Sequence, residues 1–423
     1  MASTSLLTPR VKKYKSESGV TILQQNNPTS RAFCIGVWIN TGSRDETSGE
    51  EGLCHFLEHM MFKGTKSRSA FEISSAIEKV GGSLEAFTTR EQICIYALVL
   101  DEHKDLAADI LHDMILNPTF PPDQIGLERN VVLEEIRDVM DAPDDLIHDL
   151  FASHVFPDHP LGKPILGSPQ SVASFGRGKL RAFARKNFRP DNIIVAVFGN
   201  LDKRRLLRMC DWSFDIPDRP LKRNNKRIGK YRPVKRLFKK DLHHQHICIG
   251  ARSCSYTDEN RYPLMVLTTL LGGTMSSRLF QRIREELGFT YSIFTYTDSA
   301  RDTGLIGTYM SVSPANTDKV VNEVFNEFAK IRGGAIQGQE VEDTKQYIKG
   351  KILLGLEGSA SKMMRVARNE IYFGRQISER ELIDKIDRVT LQDVVELAQH
   401  TLDADRNTIV SLGPSSLSRR PNP

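Results

Sequence analysis

The chain repeats itself, and this duplication restricts its possible folds more than any other feature. The segment Cys34-Ile35-Gly36 recurs as Cys248-Ile249-Gly250 at an offset of 214, and residues 191–195 recur as 406–410 at an offset of 215. Two matches at nearly one offset indicate a duplicated domain of about 210 residues. A chain of 423 residues is also too long for one ordinary core. We therefore predict two homologous domains.

A basic segment separates the two copies. Residues 219–240 contain eleven Lys or Arg and no acid. This composition favours a solvated connection, and contact with an acidic partner or substrate is the alternative. The predicted organisation is a first domain, a basic linker and a second domain, at 1–217, 218–240 and 241–423. Near the start, segments 11–25 and 32–40 are rich in β-branched and aromatic residues and predict a hairpin.

The composition excludes several classes of protein. The six cysteines are scattered without a Cys-x-x-Cys pair, so neither a disulfide framework nor a thiolate zinc site is expected. No run of 18 apolar residues occurs, so we expect no membrane span, and the first residues do not resemble a secretory signal. A net charge of +5 is too mild to indicate nucleic-acid binding. We expect a cytoplasmic protein; a mitochondrial matrix protein with a short transit peptide before Glu17 is the alternative.

One short stretch holds the order His-x-x-Glu-His. On a helix, His55 and His59 lie one turn apart on the same face, and Glu58 lies beside them. Two imidazoles suit zinc, and a catalytic zinc needs one more protein ligand and an open position for water, which a nearby carboxylate can deprotonate. Burying two His and one Glu without a partner would be costly, so a purely structural helix is the less favoured interpretation.

The missing ligand is sought on the predicted helix 123–140. Glu128 and Glu135 share a stripe with Val132, whereas Glu134 falls on a more polar side. An acid on the apolar stripe needs a partner, so Glu135 is favoured over Glu134 as the metal ligand. Glu128, two turns earlier, would position a ligand or a helix. Solvated surface charge is the alternative for both candidates.

The second copy lacks this set of residues. The offset places Thr269 to Gly273 where the two His should be, and Lys349 where Glu135 should be. We therefore expect the second domain to keep the fold without a metal.

Several motifs together resemble one family of zinc peptidases. They are HFLEH at 55–59, FKGT at 62–65, AFTTRE at 86–91, ERNVVLEEI at 128–136, HPLGKPILG at 159–167 and SSRLFQRIREELGFTYS at 276–292. Through nearly its whole length the chain resembles the insulinase or pitrilysin family, particularly half-length members similar to the β subunit of mitochondrial processing peptidase and its bacterial relatives. The expected fold is α+β, with two homologous domains that form half of a clamshell chamber. Each would be a mixed, largely antiparallel sheet with helices mainly on one face.

The resemblance also implies roles for individual residues. One Zn²⁺ per chain would be held by His55, His59 and Glu135, with Glu58 as the catalytic base and Glu128 in a supporting catalytic position. In the second domain, Arg284 and Tyr291 match an Arg and a Tyr that contact the substrate near the scissile carbonyl. Both side chains are suited to stabilise a developing oxyanion.

The segment around Ala86 departs from the family pattern. Relatives usually carry Asn before Ala, where the amide helps to hold the substrate strand and the catalytic water, but this chain has Glu85. Glu85, Ala86 and Phe87 are the implied substrate-binding residues of this segment. The added charge would shift preference towards basic peptides or alter the pH optimum.

The resemblance implies a zinc metalloendopeptidase that hydrolyses peptides or unfolded segments inside a closed chamber. The peptide would add to a sheet edge as an extra strand. A homodimer is implied, with a heteromeric partner subunit as the alternative. The rival function is a non-catalytic core-type or partner subunit, which the intact metal motif argues against.

Overall fold

Two mixed sheets organise the chain, as the duplication predicts. The computed structural model describes residues 10–214 and 226–414. The first nine residues of the proposed transit peptide and residues 218–225 of the predicted linker lie outside the described residues. In the described ranges, no helix combines the length and apolarity needed to cross a bilayer.

Runs of strands and runs of helices follow one another along the chain. The strands are β1 (Val11–Lys15), β2 (Thr21–Asn26), β3 (Ala32–Ile39), β4 (Ser83–Thr88), β5 (Ile93–Leu100), β6 (Ile193–Gly199), β7 (Lys235–Lys239), β8 (Gln245–Ser253), β9 (Thr290–Ser299), β10 (Gly304–Val312) and β11 (Thr408–Gly413). The helices are α1 (Leu53–Met61), α2 (Ala70–Glu78), α3 (Lys104–Leu116), α4 (Pro122–Asp141), α5 (Pro143–Val155), α6 (Pro169–Ala173), α7 (Arg177–Asn187), α8 (Lys203–Met209), α9 (Arg261–Gly272), α10 (Thr317–Arg332), α11 (Gly338–Gly355), α12 (Ser359–Phe373), α13 (Glu379–Asp387) and α14 (Leu391–Thr401). A π-helical segment, Phe280–Glu286, precedes β9.

The first sheet has six strands in the order β1-β2-β6-β3-β5-β4. The β2–β6 pair is parallel and all the other pairs are antiparallel. The predicted hairpin between segments 11–25 and 32–40 is therefore wrong: the first segment itself forms the β1–β2 hairpin, and β6 lies between β2 and β3. The apolar run of β6 explains its place, because a strand without polar alternation is suited to the middle of a sheet covered on both faces.

The second sheet repeats five strands of the first. Its order is β7-β11-β8-β10-β9, again with one parallel pair, β7–β11, at the same place. Cys34 lies in β3 and Cys248 lies in the equivalent strand β8, so the sequence repeat corresponds to a repeated topology. The predicted linker 218–240 needs a correction, because its residues 235–239 form edge strand β7. Basic residues suit an exposed edge, where they discourage pairing with another chain.

The chain divides into two compact units. Each unit is built mainly from one half of the sequence and also contains one helix from the other half. The described parts of the first unit are 10–136, 164–214 and 355–376, and the rest belongs to the second. Helix α12 packs on the first sheet against β6 and β3, and helix α5 packs on the second sheet against β11 and β8. In the first unit, α1 and α3 pack on the other face from α12. Whether the homologous domains end at the boundaries given above stays a prediction.

Asp113 in α3 holds the turn that follows α1. Its carboxylate is buried and accepts hydrogen bonds from the Thr65 and Ser67 hydroxyls at 2.5 Å, from Arg68 at 2.9 Å and from Asn117 at 3.0 Å. Burial alone would raise the pKa of Asp113, but these donors hold it below its usual value. We expect Asp113→Asn to lower the free energy of unfolding by about 2–3 kcal/mol at pH 7, the usual effect of losing charge-assisted hydrogen bonds.

The stability lost in Asp113→Asn should decrease as the pH falls. A carboxylate whose folded pKa is depressed contributes stability above its unfolded pKa, about 3.9, and loses it as the pH falls through the folded pKa. The difference between wild type and variant in urea unfolding should therefore shrink below about pH 4. Asp109→Asn is the control, since Asp109 binds the same Arg68 from an exposed position and should cost under about 1 kcal/mol. An equal loss at every pH would show that the Asp113 charge is not the cause.

Candidate metal centre

Helix α1 is fixed at its N-terminus before its polar face begins. Gly52 caps it with φ 90°. A Cβ at this position would lie 2.3 Å from the Leu166 carbonyl oxygen, so only glycine fits. The Glu46 carboxylate accepts hydrogen bonds from the backbone N–H of Gly52 at 2.9 Å and of Cys54 at 2.7 Å. An acceptor here satisfies donors that the helix cannot satisfy itself.

The apolar side chains of α1 orient its motif. The residues buried in the core of the first unit are Leu53, Cys54, Phe56, Leu57, Met60 and Met61. His55, Glu58 and His59 remain half-buried on one side. Helical periodicity thus places the three polar side chains together because the rest of the helix must face the core.

Three potential ligand atoms converge beside α1. Nε2 of His55 and Nε2 of His59 are 3.2 Å apart, and Oε2 of Glu135 lies 3.8 Å and 3.7 Å from them. Among the described residues, this is the one group of His, Cys, Asp and Glu side chains whose ligand atoms, all within 4.8 Å of one another, could hold a metal ion. Tetrahedral zinc separates neighbouring ligand atoms by about 3.3 Å, so a small adjustment of Glu135 would complete the site.

The protonation of His55 also suits a metal. Burial, with a smaller contribution from His59, lowers the pKa of His55 to about 4, so its imidazole is neutral at pH 7 and can donate a lone pair. Oε2 of Glu135 is buried and lacks a hydrogen-bond partner among the described residues. Since a buried carboxylate oxygen without a partner is costly, the structure is consistent with a cation at this point.

Glu128 orients one of the histidines. Its Oε1 lies 2.9 Å from Nδ1 of His59, and its Oε2 lies 2.5 Å from Nζ of Lys63. Burial alone would raise the pKa of Glu128, but the hydrogen bonds from His59 and Lys63 lower it, so it stays ionised. An ionised Glu128 accepts the Nδ1 proton of His59 and leaves Nε2 for a metal. Lys63 was not among the predicted site residues, although it lies in the FKGT motif.

Glu58 lies on α1 beside the ligand group and contacts the first sheet. The Thr88 hydroxyl at the end of β4 donates a hydrogen bond to Oε2 of Glu58. Burial raises the pKa of Glu58 above its usual value, although Thr88 opposes the shift. A carboxylate with a raised pKa is a better acceptor of a proton from water near neutral pH. No local pattern distinguishes Thr88 beyond its position in the AFTTRE motif.

The predicted substrate segment forms edge strand β4. Alternation places Ala86 against the core that contains α1, and places Phe87 on the face covered by α12. Glu85 lies on the same sheet face as Phe87. Its carboxylate accepts a hydrogen bond from the Tyr96 hydroxyl on the neighbouring strand β5. The charge of Glu85 is therefore on the sheet face opposite to His55, and the substrate-binding role of these three residues stays a prediction.

Arg284 and Tyr291 contact each other in the second unit. The Arg284 guanidinium carbon lies 4.8 Å from the ring centroid of Tyr291 and 4.6 Å from that of Phe280. Arg284 lies in the π-helical segment, a rare conformation that is frequent at functional sites. The Tyr291 side chain is 84% exposed. Phe280, which the sequence analysis did not single out, completes a stack that restrains the guanidinium.

The equivalent position in the second copy carries no ligand set. Lys349, which the offset aligns with Glu135, has its Nζ 2.6 Å from a carboxylate oxygen of Asp387. Within the described ranges, no second group of potential metal ligands occurs.

Comparison with known proteins gives matches over both halves of the chain. Residues 21–169 match the family described as insulinase (peptidase family M16), and residues 174–348 match the peptidase M16 inactive domain. A Bacillus subtilis protein described as an uncharacterized zinc protease is 38% identical over 395 residues, which cover 93% of this chain and 96% of that protein. A protein of Mycobacterium leprae with the same description is 37% identical over 401 residues, covering 94% of this chain and 90% of its own length.

Two solved structures share the fold. The first is described as a protease from Helicobacter pylori; it has a TM-score of 0.90 and 19% identity over 96% of this chain and 100% of its own. The second is described as a peptidase M16 inactive domain from Pseudomonas fluorescens; it has a TM-score of 0.89 and 16% identity over 97% of this chain and 100% of its own. At such identities these two support the α+β fold alone. The family matches and the relatives above show that this chain belongs to the insulinase family, peptidase family M16.

Proposed function

We propose that this protein is a zinc-dependent endopeptidase that hydrolyses peptides or unfolded protein segments. The observation that supports it most is the convergence of His55, His59 and Glu135 with Glu58 beside them. Two imidazoles, one carboxylate and an adjacent base are the donor set of a catalytic rather than a structural zinc site, because they leave a position open for water. We propose one Zn²⁺ per chain.

The proposed reaction assigns the proton transfers to Glu58. Bound zinc would polarise the scissile carbonyl and lower the pKa of water. Glu58 would take the proton from water and pass it to the leaving amine, a role favoured by its raised pKa. Glu128 would keep His59 in one tautomer and orientation. Arg284 and Tyr291 are proposed donors to the developing oxyanion, supported by the stack that restrains the guanidinium.

We propose that the substrate adds to β4 as an extra strand. This strand is an edge of the first sheet, so one side of its backbone has no strand neighbour in the described sheet. Backbone pairing binds an extended peptide with little regard to side chains. The end of β4 contacts Glu58 through Thr88, so a peptide on this edge would run beside the proposed base.

Metal removal tests the proposal. Purified protein is expected to contain about one zinc per chain and to cleave unstructured peptides. Dialysis against a zinc chelator should abolish cleavage, and stoichiometric Zn²⁺ should restore it, because the water nucleophile depends on the metal. Metal analysis and mass spectrometry of the peptide products measure both effects. Cleavage that persists in zinc-free protein would contradict the proposal.

A non-catalytic core-type or partner subunit is the alternative function. The match of residues 174–348 to the inactive domain is compatible with it, because the described residues of that range contain no group of potential metal ligands. Such a protein would cleave nothing by itself. For the catalytic form we propose a cytoplasmic homodimer enclosing a chamber; a heteromeric partner and the mitochondrial matrix are the alternatives.

A further inference from the structure

We infer that Thr88 is a positioning residue for the proposed base: its hydroxyl fixes the Glu58 carboxylate and links it to the edge strand β4. This inference rests on the proposed function. Thr88 is half-buried at the last position of β4, and its hydroxyl donates to Oε2 of Glu58. The other carboxylate oxygen, Oε1, takes no part in this hydrogen bond and is the one assigned to water.

Glu58 needs such a restraint because its own helix does not provide one. A Glu side chain has three rotatable bonds, and ordering them costs conformational entropy. Its neighbours on the polar side of α1 are His55 and His59, whose facing Nε2 atoms are directed to the ligand group. From the sheet, Thr88 forms a hydrogen bond with the Glu58 carboxylate.

The turn after Thr88 is itself held firmly. The Thr89 hydroxyl accepts hydrogen bonds from the backbone N–H of Gln92 at 3.0 Å and of Glu91 at 3.2 Å. The backbone N–H of Arg44 donates to the Arg90 carbonyl oxygen at 2.8 Å. A Cβ on Gly42 would lie 2.4 Å from the Glu91 nitrogen, so the neighbouring loop packs directly against this turn. Thr88 therefore presents its hydroxyl from a fixed backbone.

A buried ion pair connects the same turn to helix α12. The Glu91 carboxylate lies 2.6 Å from Nη1 of Arg44 and accepts a hydrogen bond from the Tyr372 hydroxyl at 2.9 Å. Arg44 and Glu91 are both buried, so the pair is well shielded from solvent. Tyr372 belongs to α12, which the second half of the sequence gives to the first unit. The orientation of the base thus depends on a segment distant from it in sequence.

Three variants test the inference. Thr88→Val removes the hydroxyl at nearly constant shape, and Thr88→Ser keeps it. Thr401→Val is the matched control, because it removes a buried threonine hydroxyl that donates to the Leu397 carbonyl in the second unit. With zinc loaded, we expect Thr88→Val to lower kcat about 10- to 100-fold, the usual effect of one hydrogen bond to a charged group. Its KM and zinc content should be unchanged, and kcat of Thr88→Ser and Thr401→Val should stay within threefold of wild type.

Other results would overturn the inference. The hydroxyl does not position the base if kcat of Thr88→Val stays within threefold of wild type. The same conclusion follows if zinc content falls together with kcat, or if kcat falls as far in Thr88→Ser as in Thr88→Val. Crystal structures of the zinc-free variants supply a readout independent of activity: the Glu58 carboxylate should change rotamer in Thr88→Val and not in Thr88→Ser. If wild type cleaves no peptide, the proposed function fails, and the Glu58 rotamer alone then supports or overturns the positioning role.

Discussion

Glu58→Gln is expected to lower peptide hydrolysis by about 100- to 10,000-fold while zinc stays bound, the range that general acid–base catalysis contributes. The amide has nearly the shape of the carboxylate, and its carbonyl oxygen can still accept the hydrogen bond from Thr88. It cannot take a proton from water at neutral pH. Zinc content should be unaffected, because the ligand group consists of His55, His59 and Glu135.

Steady-state kinetics with a fluorogenic peptide, together with metal analysis of the same samples, measures both parts of this result. Glu78→Gln is the matched control, since Glu78 is an exposed acid at the end of α2 in the same unit. It should leave both kcat and zinc content unchanged. Equal cleavage by zinc-loaded wild type and Glu58→Gln would show that another group activates the water.

Glu135→Gln is expected to weaken zinc binding by more than about 100-fold. Residues that only support a metal ligand typically contribute 10- to 100-fold in affinity, and loss of a ligand should exceed this. The neighbouring Glu134→Gln is the control, because Glu134 is exposed on α4 and lies outside the group of potential ligands. Zinc affinity in competition with a chromophoric chelator should be close to wild type for this control.

This pair of variants separates the two acids that the sequence left open. Loss of zinc in Glu134→Gln with retention in Glu135→Gln would reverse the assignment. Loss in both would indicate that α4 as a whole, and not one carboxylate, determines binding. Hydrolysis should follow zinc occupancy in each variant, because Glu58 is intact in both.

Helical periodicity favoured Glu135 over Glu134, and the family resemblance strengthened that choice. On α4, Ile125, Glu128, Val132 and Ile136 are buried, whereas Leu127 and Val131 are 60% and 45% exposed. This is the stripe that favoured Glu135 over Glu134, and the structure places Glu135 beside both histidines. A spacing of three and four residues fixes which side chains share a helix face whatever the rest of the chain does.

The contacts between elements could not be predicted from helical periodicity. Lys63 reaches Glu128, and Thr88 reaches Glu58, across 65 and 30 positions of sequence. No local pattern distinguishes these side chains from solvated ones. The predicted hairpin failed for the same reason, because β6 enters between β2 and β3 from far along the chain.

The resemblance to the insulinase family implied the α+β class. The sequence by itself determined the duplication, the motif-bearing helix and the absence of the motif from the second copy. These depend on composition, offset and short-range periodicity, which are properties of the chain. Only the tertiary structure decided the strand order, the exchange of α5 and α12 between the units, and the hydrogen bonds that orient Glu58 and His59. Such contacts depend on which elements pack together to bury apolar surface and satisfy backbone groups, and this is settled only when the whole chain has folded.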